Sequence, residues 1–497
     1  MIILLKKISS NIAFLIIICT TNSGIAQNEP IHLSFNDVVE IAHEQSPDAL
    51  MAKHRYRSSY WQYRTYQAGY KPSLILDGTL PNYSRSIDVI TQPDGSELFI
   101  KRQVARSSLN LSLSQNIPFT GGEVFLNSSA QRIDNFGDSS YWSYLTTPLT
   151  IGIRQPIFEY NPFRWDTKIE PIKYEEAKRK HIEDIEQVSI KATNIFFNLL
   201  LAQINLKIQQ VNQANNDTLY QIALGRYNIG TIAENELLQM ELNFLNSNSS
   251  LEQAKLDVEI NIFNLKSFLR IKDDVAIVLI PPEKIPDFTI NVQDALWEAR
   301  NNRSEALAFD RRLLQAESEV NRAKMQNRFS ADLVAIYGLT QTGASMHEAY
   351  QDPLNEQQLF LGIQVPILDW GLAKGKIKMA ESNEELIKTS VEQEQIDFNQ
   401  EIFIKVMQFN MQPDQVAIAY KSDQVAQKRY DVTKQRFFIG TIDIIELNLA
   451  QTDKDNNRKA YITALYNFWR YYYEIRQLTL FDFFIHKRIF LNLENIR

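Results

Sequence analysis

A mixed α and β chain, internally duplicated, is what this sequence predicts. Three observations carry the prediction. The segment "RYNIGTI" (Arg226–Ile232) returns as "RFFIGTI" (Arg436–Ile442), 210 residues later. Long stretches repeat apolar residues at steps of three and four, the period of a helix face. Shorter blocks alternate apolar and polar residues with the period of a strand.

The spacing of 210 recurs. "IGIRQPIFE" (Ile151–Glu159) falls on "LGIQVPILD" (Leu361–Asp369), so that Gly152 matches Gly362, Pro156 matches Pro366 and Gly230 matches Gly440. A third pair, "VEIAHEQSPDAL" (Val39–Leu50) and "LWEARNNRSEAL" (Leu296–Leu307), is offset by 257. The first half therefore carries 47 surplus residues between Tyr70 and Gly121. Such a period far exceeds that of solenoid repeats, so this is a gene-scale duplication. Each half reads helix, strands, very long helix, turn, long helix. The first repeat covers 27–280 and the second 281–497.

The long helices follow from periodicity and from missing breakers. No proline occurs between Pro171 and Pro281. Ile182, Ile185, Val188, Ala192, Ile195 and Leu199 mark one apolar face, and Leu251, Ala254, Val258, Ile262, Leu265 and Leu269 another, close to coiled-coil seams. These predict helices over about 174–272 in the first half and about 373–476 in the second. A helix from Tyr174 to Asn228 would be roughly 80 Å long at 1.5 Å per residue. Pro413 should kink its second-half counterpart. In the repeated turn, Gly230 suits the left-handed end of one helix, and Thr231 suits the cap of the next, with Thr231 to Glu234 fitting a capping box. Gly440 and Thr441 repeat this, with Ile444 in place of the glutamate. A plain hairpin turn accounts for glycine and threonine. It does not account for Arg226 and Arg436, each followed by an aromatic, Tyr227 or Phe437.

The strand blocks lie at about 121–157 and 331–367. Leu149, Ile151 and Ile153 alternate with Thr150, Gly152 and Arg154, and Leu359, Leu361 and Ile363 do the same with one lapse at Phe360. Leu109, Leu111 and Leu113 alternate within "SLNLSLSQ". One apolar face fits a half-buried sheet or a lipid-facing barrel wall. "ADLVAIYGL" is apolar on both faces, which leaves its orientation open. Tyr141, Trp142 and Tyr144 suit either a membrane-interface belt or an aromatic loop packed on its own sheet.

Composition excludes several classes. Glycine and proline, 16 each in 497 residues, are too few for a disordered or fibrous chain. Residues 1–26 read as a signal peptide: Lys6 and Lys7, the apolar run Ile12–Ile18, then Gly24-Ile25-Ala26 before Gln27. That run is far shorter than a bilayer span. Cys19 is the only cysteine, and Ile18 before it is too large for a lipobox. Cleavage after Ala26 leaves no cysteine, hence no disulfide or thiolate chemistry. The net charge of −7 argues against nucleic acid. No later apolar run is long enough to span a membrane as a helix, whereas a β-barrel stays open because its signal is weak per strand. No catalytic residue, cofactor site or metal site is expected. The six histidines lack ligand spacing, "GLAKGK" (Gly371–Lys376) departs from a phosphate loop and reads as a strand-to-helix junction, and Glu175-Glu176 reads as solvated charge.

With leader, duplication, strand-to-helix junctions and twin turns together, the mature chain resembles the TolC-type outer-membrane efflux family over nearly its whole length. The opening "LSFNDVVEIAHEQSPDAL" looks like that family's N-terminal helix. The resemblance implies a homotrimer in the outer membrane of a Gram-negative bacterium, with a large periplasmic part. Each protomer would give four strands to one 12-stranded β-barrel in the outer-membrane lipid, continued by a long α-helical periplasmic tunnel, with an equatorial segment at the C-terminus. It implies a passive conduit of a tripartite efflux or type I secretion system, powered by an inner-membrane pump through a periplasmic adaptor (membrane-fusion) protein. The adaptor would dock at the tunnel tip, on Arg226, Tyr227, Gly230, Thr231, Arg436, Phe437, Gly440 and Thr441. Closure in that family is by inward coiling of the helix pair that the second-half pair resembles, and Asp431 and Lys434, near Arg436, are the candidate gate. The surplus before Gly121 is a departure, read as an added hairpin or equatorial element. The competing reading is a periplasmic structural coiled-coil protein without a pore; the long helices allow it, and the paired strand blocks and the leader argue against it.

Overall fold

The computed structural model describes residues 31–136, 140–272, 276–282, 285–442 and 444–491. The expected signal peptide, with Cys19, lies outside them. The first half runs β1 (Ile31–Ser34), α1 (Phe35–Gln45), α2 (Pro47–Ala68), β2 (Ser73–Thr91), β3 (Glu97–Ile117), β4 (Gly122–Asn135), β5 (Tyr141–Ile157), α3 (Pro162–Asn228) and α4 (Glu234–Leu269). β6 (Ile277–Ile280) leads to α5 (Val292–Asn302), α6 (Ser304–Gln326), β7 (Ser330–Gly343), β8 (Leu354–Gln364), α7 (Leu372–Asn410), α8 (Gln412–Phe438), α9 (Ile444–Thr479), β9 (Phe481–Asp482) and β10 (Lys487–Arg488).

The duplication is visible in the backbone. The break between α1 and α2 falls at Ser46 (φ −62°, ψ 147°) and that between α5 and α6 at Arg303 (φ −68°, ψ 143°), the two positions matched by the 257-residue offset. The second-half long helix divides at Met411, leaving Pro413 in the first turn of α8, where its missing N–H removes no intrahelical bond. The first-half helix α3 begins at Pro162 rather than near Tyr174 and continues through Pro171. Its start has a local cause: Asn161 accepts the Arg164 N–H at 3.3 Å, and Pro162 occupies the first helical position. "GLAKGK" is a strand-to-helix junction: Gly371 precedes α7 at φ 89°, and the Asp369 carboxylate accepts the N–H groups of Gly371 and Ala373. Along α3, Ile185, Val188, Ala192 and Leu199 are buried and Ile182 and Ile195 half-buried, as a seam requires.

The chain forms two compact units. Among the described residues, one draws on 31–46, 192–282 and 429–463, and the other on 47–191, 285–428 and 464–491. In the first, β1 pairs in parallel with β6, and Ser34 and Asp37 form a capping box at the head of α1. Phe35 then packs its ring 5.4 Å from Phe196 and 5.7 Å from Phe197 of α3.

The second unit holds a sheet in the order β2-β3-β4-β5-β7-β8, antiparallel throughout. The β5–β7 pairing joins the two halves of the duplication. The four expected strands are β4, β5, β7 and β8. The family architecture implies four per protomer; this chain adds β2 and β3, because the surplus residues form a hairpin that pairs along β4. Adjacent residues on a strand face opposite ways, so register partners define each face. One row of partners reads Leu74, Leu113, Leu126, Ile151, Tyr337 and Gln357 across the six strands. The next row, on the other face, reads Ile75, Ser112, Asn127, Thr150, Gly338 and Glu356. The first face is mainly apolar and the second mainly polar. This orients "ADLVAIYGL": Ala335, Tyr337 and Leu339 share the face of Ile151. Pro81 and Pro148 fall at register shifts, where a strand tolerates a missing donor. Among the described residues no helix is long and apolar enough to cross a membrane.

Candidate functional site

The two repeated turns have the same hydrogen bonding. At the first, the Gly230 N–H donates to the Tyr227 carbonyl at 2.8 Å and the Thr231 N–H to the Arg226 carbonyl at 2.9 Å. At the second, Gly440 donates to Phe437 at 3.0 Å and Thr441 to Arg436 at 3.1 Å. These two bonds make a Schellman end, which requires a left-handed residue just past the helix. Gly230 (φ 75°) and Gly440 (φ 77°) supply it.

Threonine does a different job from the one expected. Thr231 does not cap α4: the residue before that helix is Ala233, which makes no side-chain cap bond. The Thr231 hydroxyl instead donates back to the Arg226 carbonyl at 2.9 Å, and Thr441 does the same to Arg436 at 3.0 Å. The expected capping box fails because α4 starts two residues later than the motif needs. The hydroxyl and its own N–H both satisfy a carbonyl that the end of the preceding helix leaves open.

Both turns rest on one core. Leu219 and Ala223 of α3, Met240 of α4, Tyr430 of α8, and Leu447 and Ala450 of α9 pack together, with Ile232, Leu237, Phe437 and Ile444 half-buried against them. Full burial of Leu219, Met240 and Leu447 is worth about 1.5–3 kcal/mol each. The aromatics after the two arginines part company: Phe437 turns toward the core, whereas Tyr227 is exposed. Arg226 is half-buried and Arg436 exposed, and neither side chain has a hydrogen-bond or ionic partner among the described residues.

Of the candidate gate residues, Asp431 is exposed on α8. Lys434 is half-buried and donates to Asn215 Oδ1 of α3 at 3.3 Å. Asn215 in turn donates to the Tyr430 hydroxyl at 3.2 Å, and Lys454 of α9 lies 4.4 Å above the Tyr430 ring. Burial raises the Tyr430 phenol above its ordinary pKa, reinforced by the charges of Asp455 and Asp431, so its hydroxyl stays protonated. Nearby, Asn212 of α3 donates to the buried Asp455 carboxylate at 2.6 Å. This polar network was not foreseen. Its signal was two asparagines three apart in "VNQANND" along the long helix.

A sequence profile of the family described as outer membrane efflux protein matches residues 92–269 and 298–479, one segment in each half. No curated protein matches the chain. Among solved structures it is similar to the CmeC outer membrane channel of Campylobacter jejuni, at TM-score 0.63 and 15% identity over 90% of this chain and 85% of that one. It is similar to VceC, an outer membrane protein of Vibrio cholerae, at TM-score 0.61 and 13% identity over 90% and 95%. The open state of the Neisseria gonorrhoeae MtrE outer membrane channel gives TM-score 0.60 and 12% identity over 92% and 91%. Likeness at such low identity speaks for the fold, and the match of both halves speaks for the family. With its duplicated halves, long helices and antiparallel sheet, the chain belongs to the outer membrane efflux protein family: it is a trimeric outer-membrane channel, not an enzyme, in which a β-barrel is continued by a periplasmic helical tunnel.

Proposed function

We propose that this channel is the exit duct of a tripartite assembly, and that its two Schellman turns receive a periplasmic adaptor which links it to an inner-membrane pump. The channel itself is then a passive conduit, and the energy comes from the pump. The observation that carries this reading is the pair of matching exposed turns on a shared core, each adjoining an arginine with no partner among the described residues. Arginine in that position suits polar contact with adaptor carbonyls or carboxylates, for which its planar fork is preorganised. Arg226, Tyr227, Gly230 and Thr231 form one docking element, and Arg436, Phe437, Gly440 and Thr441 the other. Asp431 and Lys434, on the helix leading to the second turn, are placed to respond when that turn is engaged. The test is crosslinking in cells from photoreactive groups at Asn228 and Phe438. Capture of an adaptor at both positions is expected, and failure at both would refute docking at the turns.

A further inference from the structure

We propose that β2 and β3 are part of the transmembrane wall, and that β2 pairs with β8 of a second copy of this chain, so that each protomer gives six strands and the trimeric barrel closes with eighteen. The inference rests on the trimeric-barrel reading and concerns how that barrel closes.

Edges decide the matter first. A barrel in lipid cannot keep an open strand edge, since its N–H and C=O groups would have no partner. Closing through four strands per protomer would need β4 to accept the neighbour's β8. That edge of β4 is already taken: β3 pairs with it without a register break from Ile117–Gly122 to Val104–Asn135. The edges left open are β2 and β8. They are the first and last of six antiparallel strands and therefore run in opposite directions, so a β2–β8 junction continues the antiparallel pattern around the ring.

The faces agree. Leu74 and Leu76 of β2, and Leu109, Leu111 and Leu113 of β3, continue the apolar face of Ile151. Leu74 and Leu76 are 65% and 66% exposed, which suits side chains bound for lipid. On the opposite face Ser108, Asn110, Ser112 and Ser114 give β3 the polar surface of a lumen wall. A hairpin lying outside the bilayer has no need of such a division. Length agrees too: β2 and β3 span 19 and 21 residues, and a tilted membrane strand needs about 9–11. The hairpin is also built into the base of the sheet. Asn161, at the head of α3, donates to the Pro118 carbonyl in the β3–β4 turn at 2.9 Å, and Gln115 donates to the Tyr70 carbonyl after α2 at 2.9 Å. Barrel diameter grows roughly linearly with strand number, so eighteen strands give a mouth about 1.5 times as wide as twelve.

Disulfide trapping in the full chain, in a Cys19→Ser background, tests the junction. Leu74→Cys or Leu76→Cys is combined in turn with Asn355→Cys, Gln357→Cys, Leu359→Cys, Leu361→Cys or Ile363→Cys, which covers every position of β8 on that face. A parallel set pairs Val124→Cys of β4 with the same β8 positions. Covalent trimers on a denaturing gel are expected from at least one β2–β8 pair and from no β4–β8 pair. Trimers locked through β4, or intact heat-dissociable trimers that no β2–β8 pair locks, would overturn the proposal while leaving the channel reading in place. Absence of any trimer from the Cys19→Ser parent would instead remove the reading on which it rests. In a second measurement, a fluorophore on Leu111→Cys should be quenched by brominated lipid and one on Ser112→Cys by aqueous iodide. The reverse pattern would also overturn it.

Discussion

Gly230 is held at φ 75° with open space where a Cβ would stand, so its constraint is backbone conformation and not crowding. A left-handed residue other than glycine costs roughly 1–2 kcal/mol, more for a β-branched side chain. Gly230→Val should therefore distort the turn and weaken adaptor docking, with trimer yield and barrel heat stability unchanged; the two readouts are adaptor crosslinking in cells and trimer mobility on gels. Loss of the trimer as well would mean that the turn matters to assembly and not only to docking. A second residue-scale prediction concerns His181 of α3. It is buried and stacked 5.3 Å from the Tyr56 ring, and its Nδ1 has no hydrogen-bond partner among the described residues. Burial, the largest influence, lowers its pKa below the ordinary 6.5, against smaller upward pulls from Asp184 and the Ala52 backbone. The unfolded chain then binds the proton more readily than the folded one. Stability from this group is complete above about pH 6.5 and is lost as pH falls toward the depressed folded value. Heat denaturation between pH 5 and 7.5 should show that loss, and His181→Phe should flatten it; an unaltered slope would show that another group is responsible.

The strands make the sharpest element-scale prediction. Ile151 of β5 and Leu361 of β8 lie on the apolar face, 50% and 55% exposed in the single chain. Arginine at either position should cost about 2–4 kcal/mol near the bilayer midplane. Gln358→Arg, exposed on the opposite face of β8, should cost far less. Trimer yield from outer-membrane fractions checks this, and normal yield from both Ile151→Arg and Leu361→Arg would reverse the assignment of faces. How much of this was legible follows from the residues. β5 and β8 showed as matching alternation 210 residues apart, β4 and β7 as the blocks beside them in each half, and β3 as "SLNLSLSQ". β2 did not, because Leu74, Ile75 and Leu76 run together, and Gly78 and Pro81 look like turn residues when they sit within a strand and at its register shift. The helix ends were legible as glycines. The task of Thr231 was not, since a hydroxyl beside a turn reads alike whether it serves the helix before or the helix after. Nor was the partnership of Asn212 with Asp455, which spans 243 residues and exists only once the helices pack.

At the scale of the whole molecule, threefold symmetry multiplies any charge facing the tunnel into a ring of three. Such a ring attracts counter-ions and raises their local concentration, by roughly tenfold or more at low salt. Asp431 is an exposed carboxylate three residues from Lys434, and Lys434 is bonded within its own protomer to Asn215. That bond, with Asn215 to Tyr430, ties α8 to α3. The two gate candidates thus invite different expectations. Lys434→Ala removes a strut between helices, so openings should lengthen and mean conductance rise. Asp431→Asn removes charge and leaves the strut, so cation selectivity should fall by several-fold at low salt and by much less at high salt, where screening shortens the reach of the ring. Arg436→Ala separates docking from conduction: it should impair adaptor capture while leaving the isolated channel close to wild type. Planar-bilayer recording of the three purified variants decides among these outcomes. Wild-type selectivity in Asp431→Asn together with wild-type opening in Lys434→Ala would place the constriction elsewhere along the tunnel and confine α8 to a packing role.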